Sequence, residues 1–122
     1  MKFRSKAMAG MLALLTILSS AGCSKLKARD EMNKGVRSFK ESKYETAVEH
    51  FKAAVDLDPE LTNAHLYLAA AYASQYQPGG DSPENRRIGE EAIKAYEGVL
   101  LKDPGNVGSV SGIAGIYFNM KN

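Results

Sequence analysis

The stretch YETAVEHFKAAVDLDP, residues 44–59, decides how the chain folds. Tyr44, Ala47, Val48, Phe51, Ala54, Val55 and Leu57 recur at three- and four-residue steps, with Glu45, Glu49, Lys52 and Asp56 between them. That spacing predicts an amphipathic helix with one apolar face, closed at Pro59, which has no N–H to continue the ladder. A degenerate copy, IGEEAIKAYEGVLLKDP, follows at residues 88–104, where Ala92, Tyr96, Val99 and Pro104 answer to Ala47, Phe51, Ala54 and Pro59. A helix that recurs with the same alternation of small and aromatic residues stacks on like neighbours, which makes the chain all-α.

Outward from residue 44, the turn Glu41-Ser42-Lys43 separates this helix from one expected near Arg29 to Glu41, with Met32, Val36 and Phe39 as its apolar positions. Gly35 lies in its middle at a cost of about 1 kcal/mol relative to alanine, which points to close packing by a neighbour. Beyond Pro59, a helix opens near Thr62, read as its N-cap, and carries His65, Leu66, Leu68, Ala69, Tyr72 and Ala73 to about Tyr76. Pro78-Gly79-Gly80 is loop, and Ser82-Pro83 reads as an N-cap with proline at the first helical position. The next helix then runs from Pro83 to Lys102, its first turns, Glu84 to Gly89, projecting beyond the hairpin. These turns, with Arg86 and Arg87, are either a tolerated insertion or part of a contact surface. Residues 107–122 form a last helix with Val110, Ile113, Ala114, Tyr117 and Phe118 as spaced apolar positions. It is too apolar for a polar cap, so either a partner covers it or the natural chain is longer, and the second is the expectation.

Asn33, Gly35, Tyr44, Ala47, Phe51, Ala54 and Pro59 fall at the spacings of the tetratricopeptide repeat, and the chain resembles that family over residues 28–61. Glu31 and Ser38 depart from it, standing where the family often has tryptophan and tyrosine. The resemblance implies antiparallel helix hairpins stacked as a short α-solenoid of about two and a half repeats: residues 28–61, 62–106 with about eleven inserted residues, and 107–122. It also implies a concave groove lined by the first helix of each unit. The lining positions carry over to Arg29, Met32, Asn33, Val36, Phe39 and Lys40 on the first helix, and to Asn63, Leu66, Tyr67, Ala70, Ala73 and Ser74 on the third. A clamp for a C-terminal carboxylate fits this set poorly, because the third helix offers chiefly Leu66, Tyr67 and alanines. A helix or extended peptide of a protein partner fits it better.

The N-terminus has a separate purpose. Lys2, Arg4 and Lys6 precede an apolar run from Ala7 to Leu18 and the small residues Ser19-Ser20-Ala21-Gly22 before Cys23. This is the pattern of a secretory signal over residues 1–22, too short for a comfortable transmembrane helix. The ending at the lone cysteine resembles the lipobox of bacterial lipoproteins, with Ser20 where leucine is usual. That resemblance implies lipidation of Cys23, a tether over residues 23–28 and, from Ser24, an outer-membrane destination facing the periplasm. An ordinary signal with an incidental cysteine, or an uncleaved anchor, is the alternative. Three of the 16 basic residues precede Ala7 whereas all 14 acidic residues follow Cys23, so the remainder is close to neutral and lacks a nucleic-acid footprint.

No catalytic constellation is legible. Pro78-Gly79-Gly80 lacks the spacing and lysine of a phosphate loop, and His50 and His65 have no histidine or cysteine at metal spacing. His65 reads as packing, His50 as helix surface, and Tyr44, Phe51, Tyr72, Tyr96 and Tyr117 as core. The expectation is a non-enzymatic, lipid-anchored scaffold or assembly factor of the bacterial cell envelope, without cofactor, metal, nucleic acid or small-molecule substrate. Two alternatives are an accessory subunit of a secretion or pilus assembly machine and the non-catalytic repeat region of a longer protein.

Overall fold

A computed structural model describes the backbone of residues 2–121 and the side chains of residues 21–121. The described residues form five helices: α1 Lys2–Lys40, α2 Tyr44–Leu57, α3 Thr62–Gln75, α4 Pro83–Lys102 and α5 Val107–Lys121. Each packs antiparallel on its successor, giving sequential hairpins, and α1 also touches α3 across the stack. This is the all-α hairpin architecture expected from the repeated small and aromatic positions. The core joins Ala47, Val48 and Phe51 of α2, Leu68, Ala69 and Tyr72 of α3, Ala92, Ile93 and Ala95 of α4, and Ile116 of α5.

Gly35 explains how α1 and α2 come together. A Cβ placed there would lie 2.6 Å from the Phe51 ring, so the ring occupies the space that any side chain would need. The turn between them is a Schellman motif: Lys43 N–H donates to Ser38 O at 2.9 Å and Ser42 N–H to Phe39 O at 2.9 Å. Ser42 itself is left-handed, with φ of 60°. At the other end of α2, Asp58 N–H donates to Ala54 O at 3.0 Å and Pro59 forbids a further turn.

Three expectations need correction. The first concerns the start of the bundle. α1 does not begin near Arg29 after an irregular tether; the helix is continuous through residues 23–28. Lys25-Leu26-Lys27-Ala28-Arg29 are all good helix formers, and after Gly22 nothing interrupts them before Gly35. Ala28 is fully buried, and Ser24 Oγ donates at 2.6 Å to Leu57 O, one of the α2 carbonyls with no partner inside its own helix. The side chains on which the signal assignment mainly rests, residues 1–20, lie outside the described residues.

The second correction concerns α4. Ser82 caps it as predicted, its Oγ accepting from Asn85 N–H at 3.1 Å, with Pro83 at the first helical position. The turns from Glu84 to Gly89, however, do not stand free. Asn85 and Gly89 are buried, and Tyr76, the C-cap of α3, and Met120 of α5 close over Gly89. At α3, Leu61 is the N-cap and Thr62 the first helical residue, so Thr62 is not the cap.

The third concerns α5, whose inward face keeps only Ile113 of the expected apolar positions. Ser109 and Ile116 are buried, Ile113 and Met120 pack against the core, and Gly112 lies against the Tyr96 ring, 2.6 Å from where a Cβ would be. Val110, Tyr117 and Phe118 are 51%, 49% and 69% exposed, and Ala114 is exposed beside them. Ala114 has the register of Gly35 and Ala69, small positions that face the second helix of their hairpin. Tyr117 is therefore not core.

Ser109 Oγ is buried without a hydrogen-bond partner. A hydroxyl so placed has lost its water without compensation. Ser109→Ala is therefore expected to leave stability unchanged or raise it by about 1 kcal/mol, read from urea unfolding midpoints.

Candidate protein-binding surfaces

The twelve groove residues lie on α1 and α3, which run side by side, but they do not form one uniform surface. Arg29, Asn33, Lys40, Asn63 and Ser74 are exposed and make a polar margin, with Ser74 Oγ turned back to Ala70 O at 2.8 Å. Met32, Val36 and Phe39 are partly buried and pack against the core, while Ala70 and Ala73 are half-buried. Phe39 meets Tyr44 edge-on, with ring centroids 5.2 Å apart. Its main business is the α1–α2 turn. Tyr67 is 39% exposed, yet its ring stacks on Phe51 at 5.4 Å and 12°. Leu66, 36% exposed, is the apolar side chain of α3 most available to a partner on this face.

One side-chain contact ties the first hairpin together at its edge. His50 Nδ1 lies 2.7 Å from Glu31 Oε2, joining α2 to α1, so His50 is half-buried and paired, not an idle surface residue. This contact, then Lys34, holds the Glu31 carboxyl below its usual range. Glu31 thus fills with an ion pair the place where the resemblance leads one to expect a bulky ring. His65 sits as a packing residue, its Nε2 2.9 Å from Pro59 O. Among the described residues, no three His, Cys, Asp or Glu side chains are placed to hold a metal ion.

A second candidate surface was not foreseen. A cleft of about 640 Å³ runs between α2 and α4, floored by α3. Val55, Leu68, Tyr72, Ala95 and Leu101 make it apolar, and Lys52, Asp56, Glu91 and Lys94 stand on its rims. Burial pushes the Tyr72 hydroxyl above its usual value, and neighbouring Glu91 adds to the effect. The cleft exists because α2 and α4 pack on α3 far more than on each other. Its walls belong to residues far apart in sequence, and the apolar periodicity of either helix reads equally well as core.

The inserted segment has an organiser that the sequence reading missed. Asn85 is 7% exposed; its Oδ1 accepts from Gln77 N–H at 2.7 Å, and its Nδ2 donates to Gln77 O at 2.8 Å and Gly80 O at 2.9 Å. One side chain thereby satisfies three backbone groups of the loop. Arg86 is exposed, while Arg87 makes a two-pronged contact with Glu84 at 2.7 and 3.0 Å, which pushes the guanidinium pKa up. The one legible signal for Asn85 was its place three residues after a serine N-cap.

Among comparisons with known proteins, no curated protein matches the chain. A family model described as a TPR repeat matches residues 36–75, which take in the end of α1, all of α2 and all of α3. Over these residues, the chain carries a TPR repeat, the kind of unit that serves protein–protein interaction.

Proposed function

We propose that the chain is an exported, lipid-anchored scaffold or assembly factor of the bacterial cell envelope. In this reading residues 1–22 are the signal, Cys23 carries the anchor at the periplasmic face of the outer membrane, and α1 with α3 binds a helix or extended peptide of a partner protein. The observation that carries the binding reading is the pairing of α1 with α3 within the TPR repeat. In this reading Asn33 and Leu66, which are exposed, and Val36 and Ala70, which are half-buried, form a face where polar residues frame an apolar strip. A partner's apolar side chains would lie along the strip, and amide and lysine groups of the margin would fix its register. Exposure of Cys23 supports the anchor, since acyl transfer needs an accessible thiol. Among the described residues no helix is long and apolar enough to cross a membrane.

The test uses the full chain expressed in a bacterium and captured with its partners from a detergent-solubilised envelope. Leu66→Glu is expected to cut capture about tenfold or more, as removal of a central anchor does, whereas Leu101→Glu on the cleft leaves it unchanged. The opposite order moves the interface to the α2–α4 cleft. In the same cells Cys23→Ala is expected to abolish fatty-acid labelling; undiminished labelling refutes the anchor.

A further inference from the structure

The charges of this chain are sorted by helix. Of its 14 acidic residues, only Asp30 and Glu31 lie on α1, α3 or α5, the helices that open the successive hairpins; the rest lie on α2, α4 and the turns. α3 has no Asp, Glu, Lys or Arg, and the only such residue of α5 is Lys121. The charge of the α1–α3 face is therefore set by α1.

Helical periodicity places Arg29, Val36 and Lys40 within about 40° of one another around α1, with Asn33 beside them. Val36 is half-buried and the other three are exposed. Among the described residues Arg29 and Lys40 form no ion pair, whereas the two α1 carboxylates are engaged elsewhere: Asp30 with Lys34 at 2.9 Å, and Glu31 with Lys34 at 3.0 Å and His50 at 2.7 Å. Glu41, just beyond the helix, is held by Lys43 at 2.8 Å. Lys25 and Arg37 each have a carboxylate near enough to feel their charge, Glu60 and Glu41 respectively. Arg29 and Lys40 remain as two unanswered cations about 16 Å apart along three turns of helix, with Val36 between them and Leu66 and Ala70 alongside on α3. The α2–α4 cleft is different. Lys52 and Lys94 share its lining with Asp56, Glu91 and Glu97, so carboxylates outnumber ammonium groups there.

We infer that the partner segment received by the α1–α3 face is acidic: its side-chain carboxylates pair with Arg29 and Lys40, and the apolar side chains between them lie on Val36, Leu66 and Ala70. The inference rests on the groove binding proposed above and adds the charge of what binds. Opposite charges at an exposed rim steer the encounter and fix its register. A segment with lysines in the same places meets two like charges instead, and nothing on the face offsets them.

The test uses the full chain and two identically labelled probe peptides with blocked termini. They match in length and in apolar residues, one carrying glutamate and the other lysine at every charged position, so only side chains supply the difference. Fluorescence anisotropy at low salt is expected to show the glutamate peptide bound about tenfold more tightly. The preference should shrink several-fold with Arg29→Gln, with Lys40→Gln or in about 0.5 M salt, because exposed charges are screened. Lys52→Gln on the cleft leaves it unchanged. Equal binding of the two peptides, binding of neither, a preference for lysine, or a preference as sensitive to Lys52→Gln as to Arg29→Gln overturns the inference. Leu66→Ser, which changes no charge, separates the two readings. If it weakens both peptides while the preference is absent, the groove stands and its acidic partner falls; if it weakens neither, both fall.

Discussion

Phe51→Ala is expected to cost about 3–5 kcal/mol, the range for deleting a buried phenylalanine, and to bring the repeat close to unfolding at room temperature, since small domains have only about 5–15 kcal/mol in all. Phe51 is fully buried, fills the space over Gly35 and carries the Tyr67 ring on its other side. Its removal opens a void against α1 and leaves Tyr67 without its stacking partner, so α1, α2 and α3 loosen together. Urea unfolding followed by circular dichroism gives the number. The close approach supplies an internal control. Gly35→Ala puts a methyl group where the ring now sits, so it destabilises the natural chain by at least about 1 kcal/mol, as overpacking does, but is tolerated, or even helpful, beside Phe51→Ala. An additive pair would show that the two residues do not share the space.

Asn85→Asp is the second large effect, expected at about 2–4 kcal/mol near neutral pH, from lost hydrogen bonds and a buried charge. The change is nearly isosteric, so packing is preserved and chemistry is isolated. The amide Nδ2 now donates to Gln77 O and Gly80 O. A carboxylate in its place would set negative oxygen against two carbonyl oxygens, while its other oxygen could still accept from Gln77 N–H. Repulsion and burial raise the pKa of the introduced carboxyl in the folded state above its unfolded value. The stability of the variant is therefore greatest below the unfolded pKa, where the protonated group can donate to one carbonyl, and is lost as pH rises through the folded pKa. The gap between variant and natural chain should widen from about pH 3 to pH 7. A pH-independent gap would mean that the loop rearranges and releases the side chain to water. Hydrogen exchange at the Gly80 amide, bonded to Gln77 O at 3.0 Å, is expected to accelerate in the variant even where global stability is sufficient.

The binding face has a bearing on how such experiments are read. Tyr67 occupies a groove position but also stacks on Phe51, and Phe39 braces the α1–α2 turn. Loss of partner capture on truncating either ring would mix a lost contact with a loosened hairpin. Leu66 is the cleaner probe because it is more than a third exposed and outside the core.

Local pattern made much of this protein legible. The spacing of Ala47, Phe51 and Ala54, the prolines at 59 and 83 and the serine at 82 determined α2 and α4, including their faces and ends, because helix periodicity, missing N–H groups and caps act within a few residues. Gly35 announced a close neighbour, and the echo of residues 44–59 in residues 88–104 announced stacked hairpins. What tertiary structure alone decided depends on which faces find a neighbour. α5 has two apolar faces, and only packing on α4 selects Ser109 and Ile116 for burial and sets Gly112 against Tyr96, while leaving Val110 and Tyr117 outside. The start of α1 was expected to be a tether because the lipobox resemblance implies one after Cys23, but Ala28 and Ser24 find α2 beside them. Asn85 reads as an ordinary helix residue until a loop eight residues earlier in the chain folds back over it. A single helix records which side chains can be buried; which of them are buried is fixed by the surface that arrives against it.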